Sequence, residues 1–169
     1  MPTVAITLLT TVHISPEHTF DFVVAEDVLP KVLLGYGPLP AVTSTSDRSG
    51  SWDQPGSYRT VHLADGTTSR EEVTDYQRPS YFAYKVSNFT FALRYLATEG
   101  KGQWWIRSAS EGATLRWTYT FTSRFVLTYP LLWGFAQWFW RGYMRVCLKA
   151  VQQQLLHPEQ GASSQVSRP

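Results

Sequence analysis

Residues 113–156, ATLRWTYTFTSRFVLTYPLLWGFAQWFWRGYMRVCLKAVQQQLL, contain the two periodicities that indicate the fold most clearly. In the first part of this stretch apolar and polar side chains alternate, as they do on a β-strand with one buried face. From residue 131 to about residue 156 there is no internal proline, and apolar residues recur at helical spacing. The stretch therefore predicts a strand at about residues 113–124, followed by one long C-terminal helix.

The chain before this stretch is divided by turn residues at short intervals, a pattern typical of antiparallel β-structure. The runs between the turns predict strands at about residues 41–47, 57–64, 67–76, 81–88 and 93–108. The last of these is long enough that we expect a bend or bulge near Gly100 and Gly102. Counting the strand at 113–124, six consecutive strands precede the long helix.

The N-terminal segment predicts a strand and two short helices. Residues 3–14 are rich in β-branched residues, and Ser15-Pro16 then has the pattern of a helix N-cap with proline at the first helical position. A second short helix should end at about Leu34, before the glycine and proline residues at 35–40. The resulting order, β-α-α-β6-α, predicts an α+β protein with the helix-grip fold. We expect residues 1–156 to form one domain and residues 157–169 to be a disordered tail.

Composition narrows the function classes. The chain has 169 residues, 43% of them hydrophobic, and a formal net charge of +2 without long basic runs, which argues against nucleic-acid binding. A single cysteine, Cys147, allows no intrachain disulfide, and the N-terminus lacks the features of a signal peptide, so we expect a cytoplasmic protein. Residues 125–140 carry no charge, but Pro130 and Gln137 interrupt them. We expect an interfacial helix there at most, and no transmembrane span.

The predicted architecture implies an internal cavity. A strongly curved seven-stranded antiparallel sheet wrapped around one long helix leaves space that side chains do not always fill. Aromatic residues make up 15% of the chain and seven are tryptophans, and such residues commonly line ligand pockets. A tightly packed aromatic core without a cavity is the alternative interpretation.

Several short motifs, taken in order, resemble a known superfamily. They are TVHISPEHTF at residues 11–20, GSYRTV at 56–61, Asp65-Gly66, EEV at 71–73, YKV at 84–86 and GATLRW at 112–117. The chain is similar to the START/Bet v 1-like (SRPBCC) superfamily, and in particular to its bacterial polyketide cyclase or dehydratase-like members. The resemblance covers nearly the whole chain. It implies the helix-grip fold and a hydrophobic small-molecule ligand. We expect no cofactor.

Two charged residues are the leading polar candidates. If Asp65-Gly66 forms a three-residue hairpin turn with Gly66 left-handed, Leu63 pairs with Thr67 and Arg59 lies opposite Glu71. A two-residue turn would place Arg59 opposite Glu72 instead. In the superfamily that the chain resembles, an arginine and a glutamate at these places commonly face the cavity. Arg59 would then anchor a ligand carboxylate, enolate or phenolate while Glu71 accepts a proton, or the two form only a structural ion pair.

Further candidates come from the apolar faces of the predicted elements. Tyr84 is expected to be a cavity tyrosine, and catalytic together with Arg59 and Glu71 if the protein is an enzyme. Trp138 and Phe139 are expected to cover the mouth of the cavity. For each aromatic residue, ordinary core packing is the alternative. The expected ligand-binding residues are Val61, Val73, Val86, Leu115, Trp117, Tyr119, Phe121, Phe135, Trp138 and Phe139.

Other reactive residue types do not form a recognisable site. His62 falls on the strand face opposite Arg59, and His13, His18 and His157 are far apart without carboxylates at ligand spacing, so no metal site is expected. Cys147 has no base at a useful spacing, and no serine lies in a nucleophile-elbow pattern.

The sequence therefore favours a binding protein for a hydrophobic small molecule, aromatic, polyketide-like or lipid. A cofactor-independent cyclase or dehydratase using the cavity acid-base residues is the alternative. A second alternative is an interaction protein, because the aromatic cluster at residues 129–140 is wider than one helix face and should contact a second copy of the chain, a membrane surface or the ligand entrance.

Overall fold

A computed structural model describes residues 1–157 and contains the elements that the sequence predicts. Strand β1 (Thr3–Val12) is followed by helices α1 (Pro16–Val23) and α2 (Leu29–Val32). Six strands come next: β2 (Val42–Ser46), β3 (Tyr58–Leu63), β4 (Thr68–Gln77), β5 (Tyr81–Ser87), β6 (Ala97–Ala109) and β7 (Gly112–Ser123). The C-terminal helical segment consists of a 3₁₀ turn (Val126–Thr128), α3 (Tyr129–Phe135), a π-helical turn (Ala136–Trp140) and α4 (Arg141–Leu156). Of the predicted disordered tail, residues 158–169 lie outside the described residues.

The strands form one antiparallel seven-stranded sheet in the order β1-β7-β6-β5-β4-β3-β2. From β2 to β7, strands that are neighbours in sequence pair with each other. Strand β1 pairs with β7 at one edge of the sheet, so that Ile6 lies opposite Tyr119. On β7 every second side chain from Leu115 to Phe121 is buried, including Trp117 and Tyr119, whereas the alternate residues are half-buried, as the alternation predicts. The curved sheet packs around the C-terminal helical segment, which confirms the predicted α+β helix-grip fold.

The β3–β4 hairpin has the predicted register. Gly66 adopts φ +84°, a left-handed conformation, and the Asp65 carboxylate accepts hydrogen bonds from the backbone N–H and the hydroxyl of Thr67. Arg59 therefore pairs with Glu71, and Glu72 pairs with Tyr58. Of the two alternatives that the sequence leaves open, the three-residue turn is the one that forms.

The predicted start of β6 is wrong by four residues. Leu93 lies in a 3₁₀ turn (Ala92–Tyr95), and the strand begins at Ala97 with a bulge between Ala97 and Glu99. Leu93 is almost fully buried in this turn, so its apolar character reflects core packing and not strand position. The bulge lies directly before Gly100, close to the predicted position, whereas Gly100 and Gly102 themselves remain in regular pairing with the neighbouring strands.

The C-terminal helical segment is continuous but not regular. Its inner side follows every fourth residue, from the buried Leu132 and Ala136 through the half-buried Trp140 to the buried Met144, a spacing that the wide π-helical turn permits. A regular α-helix advances 3.6 residues per turn and would have turned Phe139 towards the sheet. Among residues 1–157, no helix is both long enough and apolar enough to cross a membrane.

Candidate functional site

Two adjoining cavities lie between the sheet and the helices. The larger has a volume of about 80 Å³ and is lined mainly by apolar side chains from β3, β4, β5, β7, α2 and the C-terminal helical segment. The smaller has a volume of about 30 Å³ and lies beside Arg59, Trp52 and Cys147. Both cavities are bordered by the same five residues: Leu29, Leu33, Glu71, Tyr84 and Trp117. The polar candidates thus lie at the junction of the two spaces.

The predicted ion pair is buried at this junction. Arg59 and Glu71 are 3% and 4% exposed, and Nε of Arg59 donates to Oε2 of Glu71 over 2.7 Å. Nη1 of Arg59 donates to the Glu26 carbonyl over 2.6 Å, and the guanidinium lies 4.0 Å from the ring centroid of Trp52. Buried charges are stable only when paired and hydrogen-bonded, so these contacts explain how the pair is accommodated.

The ion pair retains unused hydrogen-bonding capacity. Within residues 1–157 no group accepts a hydrogen bond from Nη2 of Arg59, and none donates to Oε1 of Glu71. Arg59 lines the smaller cavity, and Glu71 lines both. A ligand oxygen could therefore be bound by the free guanidinium nitrogen, with a carboxylate oxygen available as a proton acceptor.

Tyr84 and Tyr119 provide protonated hydroxyls at the cavity wall. Burial raises the pKa of both phenols well above the usual value of about 10, and the Glu71 charge raises the pKa of both further. At neutral pH each phenol is therefore a hydrogen-bond donor and not a base.

Two glycines of β6 make room for these rings. Gly102 pairs with Tyr84 on one side and with Tyr119 on the other. A methyl group at Gly102 would overlap the ring of Tyr84, and one at Gly100 would overlap the ring of Tyr119. The absence of side chains at the two glycines thus leaves the space that the two tyrosine rings occupy.

Two indole N–H groups at the larger cavity have no partner. Nε1 of Trp117 and Nε1 of Trp140 are buried and make no hydrogen bond in the described part of the chain. The Trp117 indole is near enough to Tyr84 to offset part of the rise in that residue's pKa, but the geometry falls short of a hydrogen bond. An unsatisfied buried donor is destabilising, and a ligand that carries an acceptor oxygen would satisfy it.

The structure brings most of the predicted site residues together. Val61, Val86, Trp117 and Tyr119 line the larger cavity alongside Glu71 and Tyr84. Val73, Leu115 and Phe121 are fully buried and lie behind the cavity wall. Phe135 packs edge-on against Phe121, with 5.8 Å between ring centroids, and is also outside the lining.

The two residues expected at the cavity mouth lie elsewhere. Trp138 is 72% exposed and points away from both cavities, and Phe139 is exposed beside Gly37. The expectation assumed a regular helix, whereas the π-helical turn brings Trp140 to the cavity wall in their place.

Some lining residues were not identified from the sequence. Tyr143 lines the larger cavity and donates to the Pro40 carbonyl over 3.2 Å. Tyr143 precedes Cys147 by four residues and Val151 by eight, and this helical spacing places the three residues on one buried helix face. The spacing is a sequence signal from which Tyr143 could have been predicted. The loop segments around Leu39 and Phe89 complete the wall, and nothing in their local sequence indicates this.

Cys147 and His62 are the other reactive side chains near the cavities. Burial raises the pKa of the Cys147 thiol, which stays neutral and unreactive. His62 is bonded to the Ser46 hydroxyl through Nε2 at 2.7 Å and does not line either cavity. Within residues 1–157 no three metal-ligating side chains cluster.

Solved structures with the same fold come from several sources. The crystal structure of Ara h 8.0201 superposes with a TM-score of 0.68 at 15% identity, covering 92% of this chain and 99% of that one. Protein MLL2253 from Mesorhizobium loti gives a TM-score of 0.67 at 11% identity, with the same coverages. XoxI from Bacillus cereus gives 0.59 at 21% identity, covering 94% and 99%. These likenesses establish the START/Bet v 1-like fold.

Sequence comparison gives the family. No curated protein matches the chain at a significant level. One family model does match, with the description "Polyketide cyclase / dehydrase and lipid transport", and the match spans residues 3–155. Because the match covers nearly all of the described residues, including the ion pair and both tyrosines, the chain belongs to the polyketide cyclase/dehydrase and lipid transport family.

Proposed function

We propose that this protein binds a flat, hydrophobic small molecule, aromatic or polyketide-like, that carries at least one carbonyl, enolate or phenolate oxygen. Hydrophobic small molecules are the ligands of the family to which the chain belongs. The preference for a ligand with an acceptor oxygen rests on one observation, the excess of hydrogen-bond donors over acceptors in a largely apolar cavity. The Trp117 and Trp140 indoles are unpartnered donors there, within the part of the chain that the structure describes.

The protonation states support this preference for acceptor oxygens. Tyr84 and Tyr119 stay protonated because burial raises their pKa values. The guanidinium of Arg59 carries hydrogen-bond donors and no acceptor. Glu71 is the single carboxylate among the residues that line the larger cavity. An apolar ligand with an acceptor oxygen would satisfy these donors, whereas a pure hydrocarbon would leave them unsatisfied.

The cavity must widen to take such a ligand. Its volume of about 80 Å³ holds a few water molecules, whereas pockets for drug-sized ligands measure roughly 300–1,000 Å³. Part of the wall consists of the four-residue helix α2 and the loop through Leu39 and Pro40. Short elements of this kind open at lower free energy than the sheet, so we expect the ligand to enter beside them.

A matched pair of compounds tests the proposal. 9-Fluorenone and fluorene have nearly the same shape, but only fluorenone has a carbonyl oxygen. Quenching of tryptophan fluorescence should show fluorenone binding at least about tenfold more tightly, since one satisfied donor is worth roughly 1.4 kcal/mol or more. Equal affinity for the two compounds, or binding of neither, would contradict the proposal. Preferential binding of palmitate would favour a lipid ligand.

Variants of nearly the same shape test whether the cavity tyrosines cause the preference for fluorenone over fluorene. Tyr84→Phe and Tyr119→Phe remove one donor each and keep the ring, so each should weaken fluorenone binding by about fivefold, for a loss of roughly 1 kcal/mol, and leave fluorene binding unchanged. Tyr95→Phe, at an exposed tyrosine outside both cavities, is the control. If all three variants bind fluorenone like the wild type, the tyrosine hydroxyls are not the anchors.

Catalysis is a second candidate function, favoured by the free Oε1 of Glu71 beside two protonated phenols. In a cyclase or dehydratase reaction Glu71 would accept a substrate proton while Arg59 and Tyr84 stabilise the developing enolate. Glu71→Gln and Arg59→Met should then each lower turnover of a polyketide substrate by about a hundredfold or more. Unchanged turnover in both variants would reject this assignment.

We also propose that residues 1–156 act as one domain and that the protein works in the cytoplasm. The neutral, buried Cys147 thiol is compatible with a reducing compartment. Expression with a fluorescent tag in the native host, followed by microscopy and fractionation, would test the location.

A further inference from the structure

The helical segment that covers the cavities has an exposed apolar side. We call it the cap face and define it by Phe125, Val126, Leu127, Leu131 and Trp138, all of which are exposed. Leu127 is 91% and Leu131 66% exposed, so neither contributes to the packing of the core. Trp138 packs over Gly134 on the same side of the helix as Leu131. Large exposed apolar side chains grouped within one short segment are a mark of an interaction site.

The cap face continues to the loop beside the larger cavity. The Phe139 ring approaches Gly37, so that a methyl group at Gly37 would be 3.8 Å from it. In the same loop, the partly exposed Tyr36 lies against Gly142 of α4, where no side chain could fit. The apolar surface thus reaches the loop whose neighbouring residues Leu39 and Pro40 line the cavity.

Positive charge accompanies this surface. Residues 112–157 contain five basic residues and no Asp or Glu, whereas the rest of the chain has ten basic and thirteen acidic residues. The guanidinium of Arg124 lies 5.9 Å from the Phe125 ring, and its Nη1 donates to the carbonyl of Arg94. In the described part of the chain neither Arg124 nor Arg94 has a carboxylate within ion-pair distance. These charges are therefore free to meet an anionic surface.

We propose that the cap face docks on the surface of an anionic lipid bilayer. Leu127, Leu131 and Trp138 enter the headgroup region, where tryptophan is favoured. Arg124 and Arg94 lie at the level of the lipid phosphates, and each basic residue near such a surface contributes about fivefold to binding. Docking needs no ligand in the cavity and so stands apart from the proposed small-molecule binding.

The charge distribution favours a bilayer over a second copy of the chain. A twofold-symmetric dimer through the cap face would bring the same surface of both copies together, and with it the basic residues of each. Like charges in contact oppose such an interface, and the segment that forms the cap face contains no carboxylate to neutralise them.

Vesicle sedimentation tests the docking with the full chain. We expect binding to vesicles of about one part phosphatidylglycerol to three parts phosphatidylcholine, and at least tenfold weaker binding to phosphatidylcholine alone. Raising the salt to about 1 M, where the Debye length is only about 3 Å, should release most of the protein. Failure of the wild type to bind either vesicle at low salt would overturn the proposal.

Variants separate the apolar from the charged contribution. Leu127→Ser with Trp138→Ser should weaken binding to the anionic vesicles by tenfold or more, and Arg124→Gln by about fivefold. Leu156→Ser is the control, because this exposed leucine lies at the other end of α4, about 22 Å from Arg141. Wild-type binding by the double variant would overturn the proposal.

Two additional measurements separate bilayer docking from self-association and from a structural role of the cap face. Light scattering should show a monomer, and a dimer that the double variant converts to monomers would overturn bilayer docking in favour of self-association. The double variant should keep the wild-type melting temperature and fluorenone affinity, since both side chains are exposed and outside the cavities. A large loss of melting temperature in that variant would also count against the proposal, because it would give these residues a structural role.

Discussion

Arg59 and Glu71 place two full charges where almost no solvent reaches. Their cross-strand register aligns the guanidinium with the carboxylate, and the Glu26 carbonyl and Trp52 ring complete the environment of the arginine. The attraction within such a pair roughly offsets the desolvation of its members, so the pair as a whole adds little net stability. Removing one member has a different effect, because the other charge is left buried and uncompensated.

Single and double substitutions at this pair should therefore differ sharply. Glu71→Leu should lower the free energy of unfolding by about 3–5 kcal/mol, whereas Arg59→Met with Glu71→Leu should restore most of that loss. Urea denaturation at neutral pH measures both values. The control is the exposed Arg78–Asp21 pair, joined by bonds of 2.7 and 2.8 Å, where Asp21→Leu should change stability by about 1 kcal/mol or less. Equal losses for Glu71→Leu and Asp21→Leu would contradict this account.

The sequence predicts this pair because one local feature determines it. The Asp65-Gly66 turn sets the register of β3 and β4, and counting along the two strands reaches Arg59 and Glu71 without further information. The contact of Arg59 with Glu26 joins residues 33 positions apart, and no local pattern indicates it. Local geometry can thus be predicted from sequence, whereas the contacts that complete the site depend on tertiary packing.

Strand β6 shows the same limit for a whole element. Glycines in a long strand commonly indicate a bend or bulge, and a bulge does lie directly before Gly100. Gly100 and Gly102 also leave space for tyrosine rings of β5 and β7. This second role becomes visible only when both neighbouring strands are known. The π-helical turn is a similar case. It exposes Trp138 and places Trp140 at the cavity wall, and the two residues have the same side chain, so residue type cannot distinguish them.

The space at Gly102 can be tested by filling it. Gly102→Ala places a methyl group in the position of the Tyr84 ring, so it should lower the free energy of unfolding by about 1–3 kcal/mol. In a Tyr84→Ala background the ring is gone, and adding Gly102→Ala should then change stability little. A double-mutant cycle by urea denaturation measures this coupling. If Gly102→Ala has the same effect in both backgrounds, the glycine is needed for its backbone and not for the ring.

Across the whole molecule, enclosing a helix within the sheet buries several groups that ionise only at high pH. Burial raises the pKa values of Tyr84, Tyr119, Tyr143 and Cys147 above those of exposed side chains of the same kinds. Each group therefore keeps its proton in the folded protein at a pH where the unfolded chain has lost it. Because the unfolded state then binds fewer protons than the native state, stability must fall as pH rises.

The free energy of unfolding should accordingly stay nearly constant up to about pH 8 and decrease above it. Cys147 begins to contribute near its ordinary pKa of about 8.5, and the three tyrosines near theirs of about 10. Each contributes a slope of about −1.4 kcal/mol per pH unit until its folded-state pKa is reached.

Urea denaturation at intervals between about pH 7 and pH 11 measures this slope, and Tyr84→Phe and Tyr119→Phe should each reduce it above about pH 10. Tyr95→Phe, at an exposed tyrosine, serves as the control and should keep the wild-type slope. Stability that is independent of pH up to about 11 would mean that solvent reaches these phenols in the folded protein, and the cavity would then be open to water and not enclosed.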